Sequence, residues 1–145
     1  MRLHMASRHA LFAILELAAQ PERQMSAGEI ALKYGISPNH LAKVLHTLGR
    51  EGLVEAVRGV GGGYRFAGNA KRTNLLDVIR IFEPAGTLQS TEREANGATS
   101  EEHSLRLVLD EIDDTARATL SSISLETMLK LVSRTARARK ASDAT

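Results

Sequence analysis

The sequence predicts a mainly α-helical fold, a winged helix-turn-helix domain with a small β-hairpin wing and a long C-terminal dimerisation helix. Three observations support this prediction. Two short amphipathic helices, with a glycine between them, occupy residues 26–51. A glycine-rich hairpin follows at residues 53–67. One apolar stripe at helical spacing then runs through residues 101–123.

The first two helices are bounded by clear local signals. Apolar residues at helical spacing predict a first helix within residues 3–19, and Pro21 stops it. Ser26 begins the second helix, because its hydroxyl can accept a hydrogen bond from the Glu29 amide while Glu29 reaches back. Gly35 can adopt the left-handed conformation that ends this helix near residue 34.

The third helix is the candidate recognition helix. Ser37 is a suitable N-cap and Pro38 suits the first helical position. An apolar stripe, formed by Leu41, Val44, Leu45 and Leu48, faces the core. A helix of this kind standing alone would more often be merely solvated, but its neighbours favour DNA recognition through base edges and phosphates. The predicted DNA contacts on it are Ser37, Pro38, Asn39, His40, Lys43 and Arg50.

The hairpin at residues 53–67 is too short to bury a core and is predicted to be a wing. Its glycines would let the main chain approach a phosphate backbone, and Arg58 could enter the minor groove. A nucleotide-binding P-loop is excluded, because no Lys-Ser/Thr pair follows the glycines and a strand comes next. The predicted DNA contacts here are Arg58, Gly59, Gly61, Gly62, Gly63 and Tyr64.

The predicted domain organisation has four parts: a DNA-binding domain at residues 1–84, a flexible loop at 85–100, dimerisation helices at 101–136 and a basic, disordered tail at 137–145. A fourth helix begins at Asn74 within the first part. The long helix carries an apolar stripe, and the small domain before it offers little core to cover that stripe. The exposed stripe therefore indicates dimerisation. The predicted dimer contacts are Leu105, Val108, Leu109, Ile112, Ala116, Leu120 and Ile123.

The charge is divided unevenly along the chain. Residues 1–72 hold 10 Lys and Arg against 5 Asp and Glu, a net of +5, whereas residues 73–145 hold 9 against 12, a net of −3. A basic first half is typical of a nucleic-acid-binding domain, although chance scatter of surface charge would look the same. No apolar run approaches the ~20 residues that span a bilayer, and the N-terminus lacks a signal-peptide pattern. We therefore expect a cytoplasmic protein without a membrane partner.

The chain resembles the Rrf2 family of bacterial transcriptional regulators. The resemblance rests on Ser37-Pro38-Asn39-His40-Leu41, Lys43-Val44-Leu45, Gly52-Leu53-Val54, Arg58-Gly59, Gly62-Gly63-Tyr64, Asn74-Leu75-Leu76-Asp77-Val78 and Ser124-Leu125-Glu126. It implies a winged-helix domain, a long helix that crosses its partner in a homodimer, and a palindromic operator. It also implies that Ser37, Lys43 and Arg58 lie at DNA-contacting positions.

Many members of that family hold an iron–sulfur cluster through three cysteines in the loop before the long helix, and this sequence has no cysteine. His103 lies near the last cysteine position, and Arg8 lies where some members supply an acidic ligand. One imidazole cannot replace the thiolates that such clusters require. Provided that no cysteine has been replaced, we predict no cofactor and no metal site, with His103 as the sole candidate ligand.

The predicted function is a sequence-specific DNA-binding transcriptional regulator, a repressor that binds double-stranded DNA as a homodimer. The sequence shows no nucleophile–base pair, paired carboxylates or cofactor fingerprint, so we do not expect an enzyme. The alternative is a winged-helix protein-interaction module that does not bind DNA directly. An unidentified small-molecule or protein effector stays open.

Overall fold

The computed structural model describes residues 2–83 and 99–145. These residues form six helices and a two-stranded antiparallel sheet, which confirms the predicted mainly α-helical winged helix-turn-helix fold. Most of the predicted loop at 85–100 lies outside the described residues, although Thr99 and Ser100 belong to a helix start. The elements are α1 (Met5–Ala19), α2 (Ala27–Tyr34), α3 (Pro38–Arg50), β1 (Val54–Val57), β2 (Gly63–Phe66), α4 (Leu75–Phe82), α5 (Ser100–Ser121) and α6 (Leu125–Asp143).

The helix-turn-helix forms where its capping residues predict it. The Ser26 hydroxyl accepts from the Glu29 amide at 3.1 Å and starts α2. Gly35 ends α2 with φ 63°, in the left-handed region where a side chain would be strained. Ser37 then caps α3, and Pro38 occupies its first turn. Because only three residues separate the two helices, the direction of α3 is set by α2.

The core is centred on α1. This helix contacts α2, α3, α4, α6 and β2. The apolar stripe predicted for α3 is buried against it, and β1, α4 and α6 each add at least one buried side chain. Burying such a side chain contributes about 1.5–3 kcal/mol. The largest fully buried apolar residues are Ile14, Leu17, Ile30, Leu41, Leu45, Leu48, Val54, Val78, Ile79 and Leu125.

A buried carboxylate replaces a local cap at the start of α1. His4 makes no side-chain capping bond, but its amide donates to Glu83 Oε1 at 2.8 Å, and the Ser7 hydroxyl donates to the same oxygen at 2.9 Å. Glu83 follows α4 and is 6% exposed. An anion at a helix N-terminus interacts favourably with the helix dipole. The end of α4 is thereby fixed to the start of α1.

The wing is hydrogen-bonded to the loop between α1 and α2. Val54 to Val57 pair with Gly63 to Phe66. The Met25 amide then donates to the Tyr64 carbonyl at 2.9 Å, and the Tyr64 amide donates to the Met25 carbonyl at 2.7 Å. We call this pair of hydrogen bonds the Met25–Tyr64 bridge. The hairpin already follows α3 in the chain, and the Met25–Tyr64 bridge joins it to the helical core in addition. The wing therefore has a defined position.

The C-terminal half of the chain departs from the prediction in two ways. Residues 137–145 were predicted to be a disordered tail, but α6 continues to Asp143. Residues 133–141 are mostly Ala, Arg and Lys, with no Gly or Pro, and therefore favour a helix despite their charge. Within residues 2–83 and 99–145, no helix is both long and apolar enough to cross a membrane.

The second departure concerns the predicted dimer stripe. Leu120 and Ile123 pack against the core of their own chain. The chain turns there, and the Leu75 amide donates to the Ile123 carbonyl at 2.9 Å while the Leu125 amide donates to the Thr73 carbonyl at 2.8 Å. These backbone bonds hold the C-terminal end of α5 against the start of α4. The remaining five predicted positions are not buried within the chain.

The Met25–Tyr64 bridge generates a stability prediction at Gly63. A Cβ at this position would overlap the Met25 carbonyl oxygen, so Gly63→Ala must separate the wing from the loop. We expect a loss on the order of 1–3 kcal/mol in the free energy of unfolding. Gly28→Ala is the matched control, because its Cβ meets only the Ser26 hydroxyl at 3.8 Å and Ala favours a helix. Urea denaturation measures both, and equal midpoints for the two variants would contradict the bridge.

Candidate nucleic-acid interface

Four polar side chains form one exposed row along α3. They are spaced four, three and four residues apart, which places them on one side of a helix. This side lies opposite the buried stripe, and each of the four residues is exposed. We call this row the α3 face; it consists of Asn39, Lys43, His46 and Arg50. His46 was not among the predicted contacts, although its spacing from Asn39 and Lys43 could have identified it.

The start of α3 places the predicted Ser37 and Pro38 at the edge of the same surface. The Ser37 hydroxyl accepts from the His40 amide at 3.5 Å, and both Ser37 and Pro38 are exposed. A hydroxyl that accepts one bond can still donate another to a phosphate oxygen. The positive end of the α3 dipole lies here as well, which favours an anion.

His40 lies off the α3 face and contacts α1. Its Nδ1 is 3.1 Å from Nδ1 of His9, and the two rings meet edge to face with centroids 4.8 Å apart. Burial, the nearby His40 ring and the Arg8 guanidinium lower the pKa of His9 below its ordinary value. The imidazole of His9 is therefore neutral at pH 7. Residues 31 positions apart give no sequence signal for such a contact.

Arg58 is the exposed cation of the wing. It follows β1 directly, and Val60 at the tip of the hairpin is fully exposed. Arg65 lies on β2 but forms an ion pair with Glu55 on the neighbouring strand. In the described part of the chain, Lys43, Arg50 and Arg58 have no carboxylate partner. The α3 face and the wing therefore share an excess of positive charge.

The wing glycines and Tyr64 have roles within the hairpin itself. Gly59 and Gly61 have positive φ, and the Gly62 amide closes the turn by donating to the Gly59 carbonyl at 3.0 Å. A Cβ on Gly62 would overlap the Val57 carbonyl within the hairpin, whereas a Cβ on Gly63 would overlap the Met25 carbonyl in the loop before α2. Tyr64 is half-buried and packs against the core. Their occurrence is thus explained without DNA, and their predicted DNA contacts stay predictions.

The donor set does not fit an iron–sulfur cluster. The sequence contains no cysteine, and thiolates are the ligands that these clusters require. His103 is exposed on the first turn of α5, where its amide donates to the Thr99 carbonyl at 3.0 Å. Among the residues that the structure describes, no three His, Asp or Glu side chains converge in a metal-binding arrangement.

Comparison with known proteins agrees with this architecture. A sequence model of the Rrf2 family, described as iron-dependent transcriptional regulators, matches residues 3–131. The chain is 52% identical over 132 residues to an HTH-type transcriptional regulator, BadM, from Rhodopseudomonas palustris, and the match covers 91% of this chain and 83% of BadM.

Solved structures of two regulators share the fold. The first is CymR, the global cysteine regulator of B. subtilis, with a TM-score of 0.74 and 26% identity over 90% of this chain and 98% of CymR. The second is IscR from T. potens, with a TM-score of 0.72 and 26% identity over 91% of this chain and 88% of IscR.

The His9–His40 contact generates a pH prediction. Because the pKa of His9 is lower in the folded chain than in the unfolded chain, the unfolded chain takes up a proton first as the pH falls through about 6.5. Folding stability contributed by neutral His9 is therefore present above this pH and is lost below it. In His9→Asn, stability should fall less between pH 7.5 and pH 5.5 than in the wild type.

Urea unfolding at the two pH values measures this difference. His46→Asn is the control, because His46 is exposed on the same helix that carries His40. The wild type and His46→Asn should lose similar stability on acidification. If His9→Asn lost as much stability on acidification as the wild type, the lowered pKa of His9 would be contradicted.

Proposed function

Because the chain belongs to the Rrf2 family of transcriptional regulators and is not an enzyme, we propose that it represses transcription as a homodimer bound to a palindromic operator. The observation that supports this most directly is the α3 face, a row of exposed polar side chains on the second helix of a helix-turn-helix. Chromosomal DNA as partner also implies a cytoplasmic location.

The α3 face suits the major groove. Asn39 and His46 can form hydrogen bonds with base edges, and an Asn amide can bind adenine through two such bonds. Lys43 and Arg50 lie on the same side of the helix and are suited to phosphates. Within residues 2–83 and 99–145 these two cations have no carboxylate partner, so their charge stays available to phosphates. The charges therefore favour DNA over the protein-interaction alternative.

The wing is suited to the neighbouring minor groove. Arg58 is exposed next to a hairpin whose position is fixed by the Met25–Tyr64 bridge. A narrow, A·T-rich minor groove has an enhanced negative potential that attracts arginine. Arg65 contributes less, because Glu55 neutralises it. The wing would thus add one cationic contact beside each recognition helix.

The surface of α5 supports the homodimer. This helix has 22 residues, and none of them is buried within the chain. Leu105, Val108 and Ile112 are each more than half exposed, and Leu109 is 39% exposed. These four residues recur at helical spacing and share one side with Ala116. A continuous apolar side of this kind on a single helix is typical of a protein–protein interface.

A two-fold dimer would present two α3 faces related by symmetry. The operator should then be an inverted repeat read in successive major grooves, with half-site centres about 10 or about 20 base pairs apart. The chain has no thiolate ligands for a cluster, so the proposed regulator acts without an iron–sulfur centre.

Selection from a pool of random DNA tests the proposal directly. The wild type should enrich an inverted repeat, and its affinity for that site should fall steeply with salt. Arg58→Ala should weaken binding by about 1–3 kcal/mol at fixed salt. Arg65→Ala should cost less, because this residue is neutralised by Glu55 on the same hairpin. Enrichment of no sequence, or equal losses in the two variants, would contradict the proposed interface.

Substitutions on α5 test the dimer. Ile112→Asp places a charge on the apolar side of α5. It should weaken dimer association by about 2–5 kcal/mol. Sedimentation should then show monomers, and operator affinity should fall with dimerisation. Ala118→Asp adds the same charge on the opposite, exposed side and should leave the dimer intact. A monomeric wild type at micromolar concentration would disprove this assembly.

A further inference from the structure

A cleft lies between the helix-turn-helix and the C-terminal helix. It has a volume of about 470 Å³ and is bounded by α1, the loop after it, α2 and α6. Clefts of ~300–1,000 Å³ with mostly apolar walls and a few converging polar groups are typical of small-molecule sites. None of its lining residues comes from α5, so it is distinct from the proposed dimer surface.

The walls of the cleft are largely apolar. The rings of Phe12 and Tyr34 stack in parallel, with centroids 5.2 Å apart and planes 5° from parallel. Met128, Leu129 and Val132 of α6 line the cleft as well. A ligand with an apolar body would therefore displace water from apolar surface, which favours binding.

The polar groups of the cleft carry a net positive charge. Glu16 accepts two hydrogen bonds from Lys33 Nζ, at 2.9 and 2.8 Å, and one from the Tyr34 hydroxyl at 2.6 Å. Burial alone would raise the pKa of Glu16, but these hydrogen bonds and the charges of Lys33 and Arg23 lower it. Burial and the Glu16 carboxylate raise the pKa of Tyr34 well above its ordinary value. One carboxylate, already engaged, thus faces the two cations Lys33 and Arg23.

We propose that this cleft binds a small apolar molecule that carries a single anionic group, and that this ligand is the effector of the regulator. The apolar walls hold the body of the ligand, and Arg23 binds its anionic group. Binding itself does not depend on the proposed function, whereas the role as effector rests on it.

The walls of the cleft are connected to the DNA-binding elements. Met25 lines the cleft and also forms the Met25–Tyr64 bridge, which holds the wing. Lys33 and Tyr34 are the last residues of α2, directly before the turn into α3. A ligand that contacts these residues together with α6 would have different affinities for conformations that differ in the positions of the wing and α3. Such a difference shifts the population of conformations, and operator DNA must affect ligand affinity reciprocally.

A matched set of probes tests the chemistry of the site. Octanoate, 1-octanol and octylammonium share a hydrocarbon chain and differ in charge, and each can displace the fluorescent anion 8-anilinonaphthalene-1-sulfonate. Octanoate should displace this probe at the lowest concentration and octylammonium at the highest. Arg23→Gln should weaken octanoate by about tenfold and leave octanol unchanged. Equal displacement by all three compounds, or equal octanoate binding in Arg23→Gln, would overturn the proposal.

Two neighbouring residues of α6 locate the site. Both side chains are exposed, Val132 by 45% and Leu131 by 53%, but only Val132 lines the cleft. Val132→Glu should abolish binding of the fluorescent probe, and Leu131→Glu should retain it. Sedimentation of both variants is the second readout: loss of the dimer in Val132→Glu alone would show that a second copy covers the cleft, which would overturn the ligand site.

The role as effector is tested separately from binding. Octanoate should change operator affinity in the wild type, and Arg23→Gln should need about ten times more octanoate for the same change. Probe binding without any operator binding would leave the site intact and refute the proposed function. Operator binding that octanoate leaves unchanged, despite binding of octanoate to the cleft, would refute the effector role alone.

Discussion

Five other elements pack on α1, and their positions relative to one another follow from this packing. This helix contacts α2, α3, α4, α6 and β2, so it determines the relative positions of α3 and α6. Its own start is stabilised from a distance, by the Glu83 carboxylate at the end of α4. The position of the α3 face therefore depends on the position of α1. Loss of buried contacts on α1 should lower stability and disturb the proposed DNA recognition together.

The sequence was most informative where structure is determined locally. The cap at Ser26, the left-handed Gly35 and the apolar stripe of α3 act within a few residues, and all were predicted. Contacts between distant residues were not predictable. His9 and His40 are 31 positions apart, and Ser7 and Glu83 are 76 apart, so no spacing rule links them. The extent of α6 does not follow from the basic charge of its last residues, because the helix propensity of Ala, Arg and Lys continues the helix to Asp143.

Part of the candidate site could be identified only from the three-dimensional structure. Periodicity alone placed Lys43, His46 and Arg50 on the side away from the core, but it did not show that His40 contacts His9 of α1. The apolar stripe of residues 105–123 was predicted as one surface, yet Leu120 and Ile123 at its end are half-buried and pack against the core of their own chain, because the chain turns back there. The cleft beside Arg23 is formed by three separate segments, within residues 12–25, 33–34 and 128–132, so no single stretch of sequence could indicate it.

The attachment of α5 at one end has a mechanical consequence. Backbone bonds at Ile123 and Leu125 hold its C-terminal end against the start of α4, and a helix of 22 residues is about 33 Å long. A rotation of about 5° at the attached end would move the far end by roughly 3 Å. In the proposed dimer this helix also carries the partner, so symmetry would double the effect on the separation of the two recognition helices. A small change in backbone position near Thr73 is thus amplified along α5 into a larger change in the fit between the proposed dimer and its proposed operator.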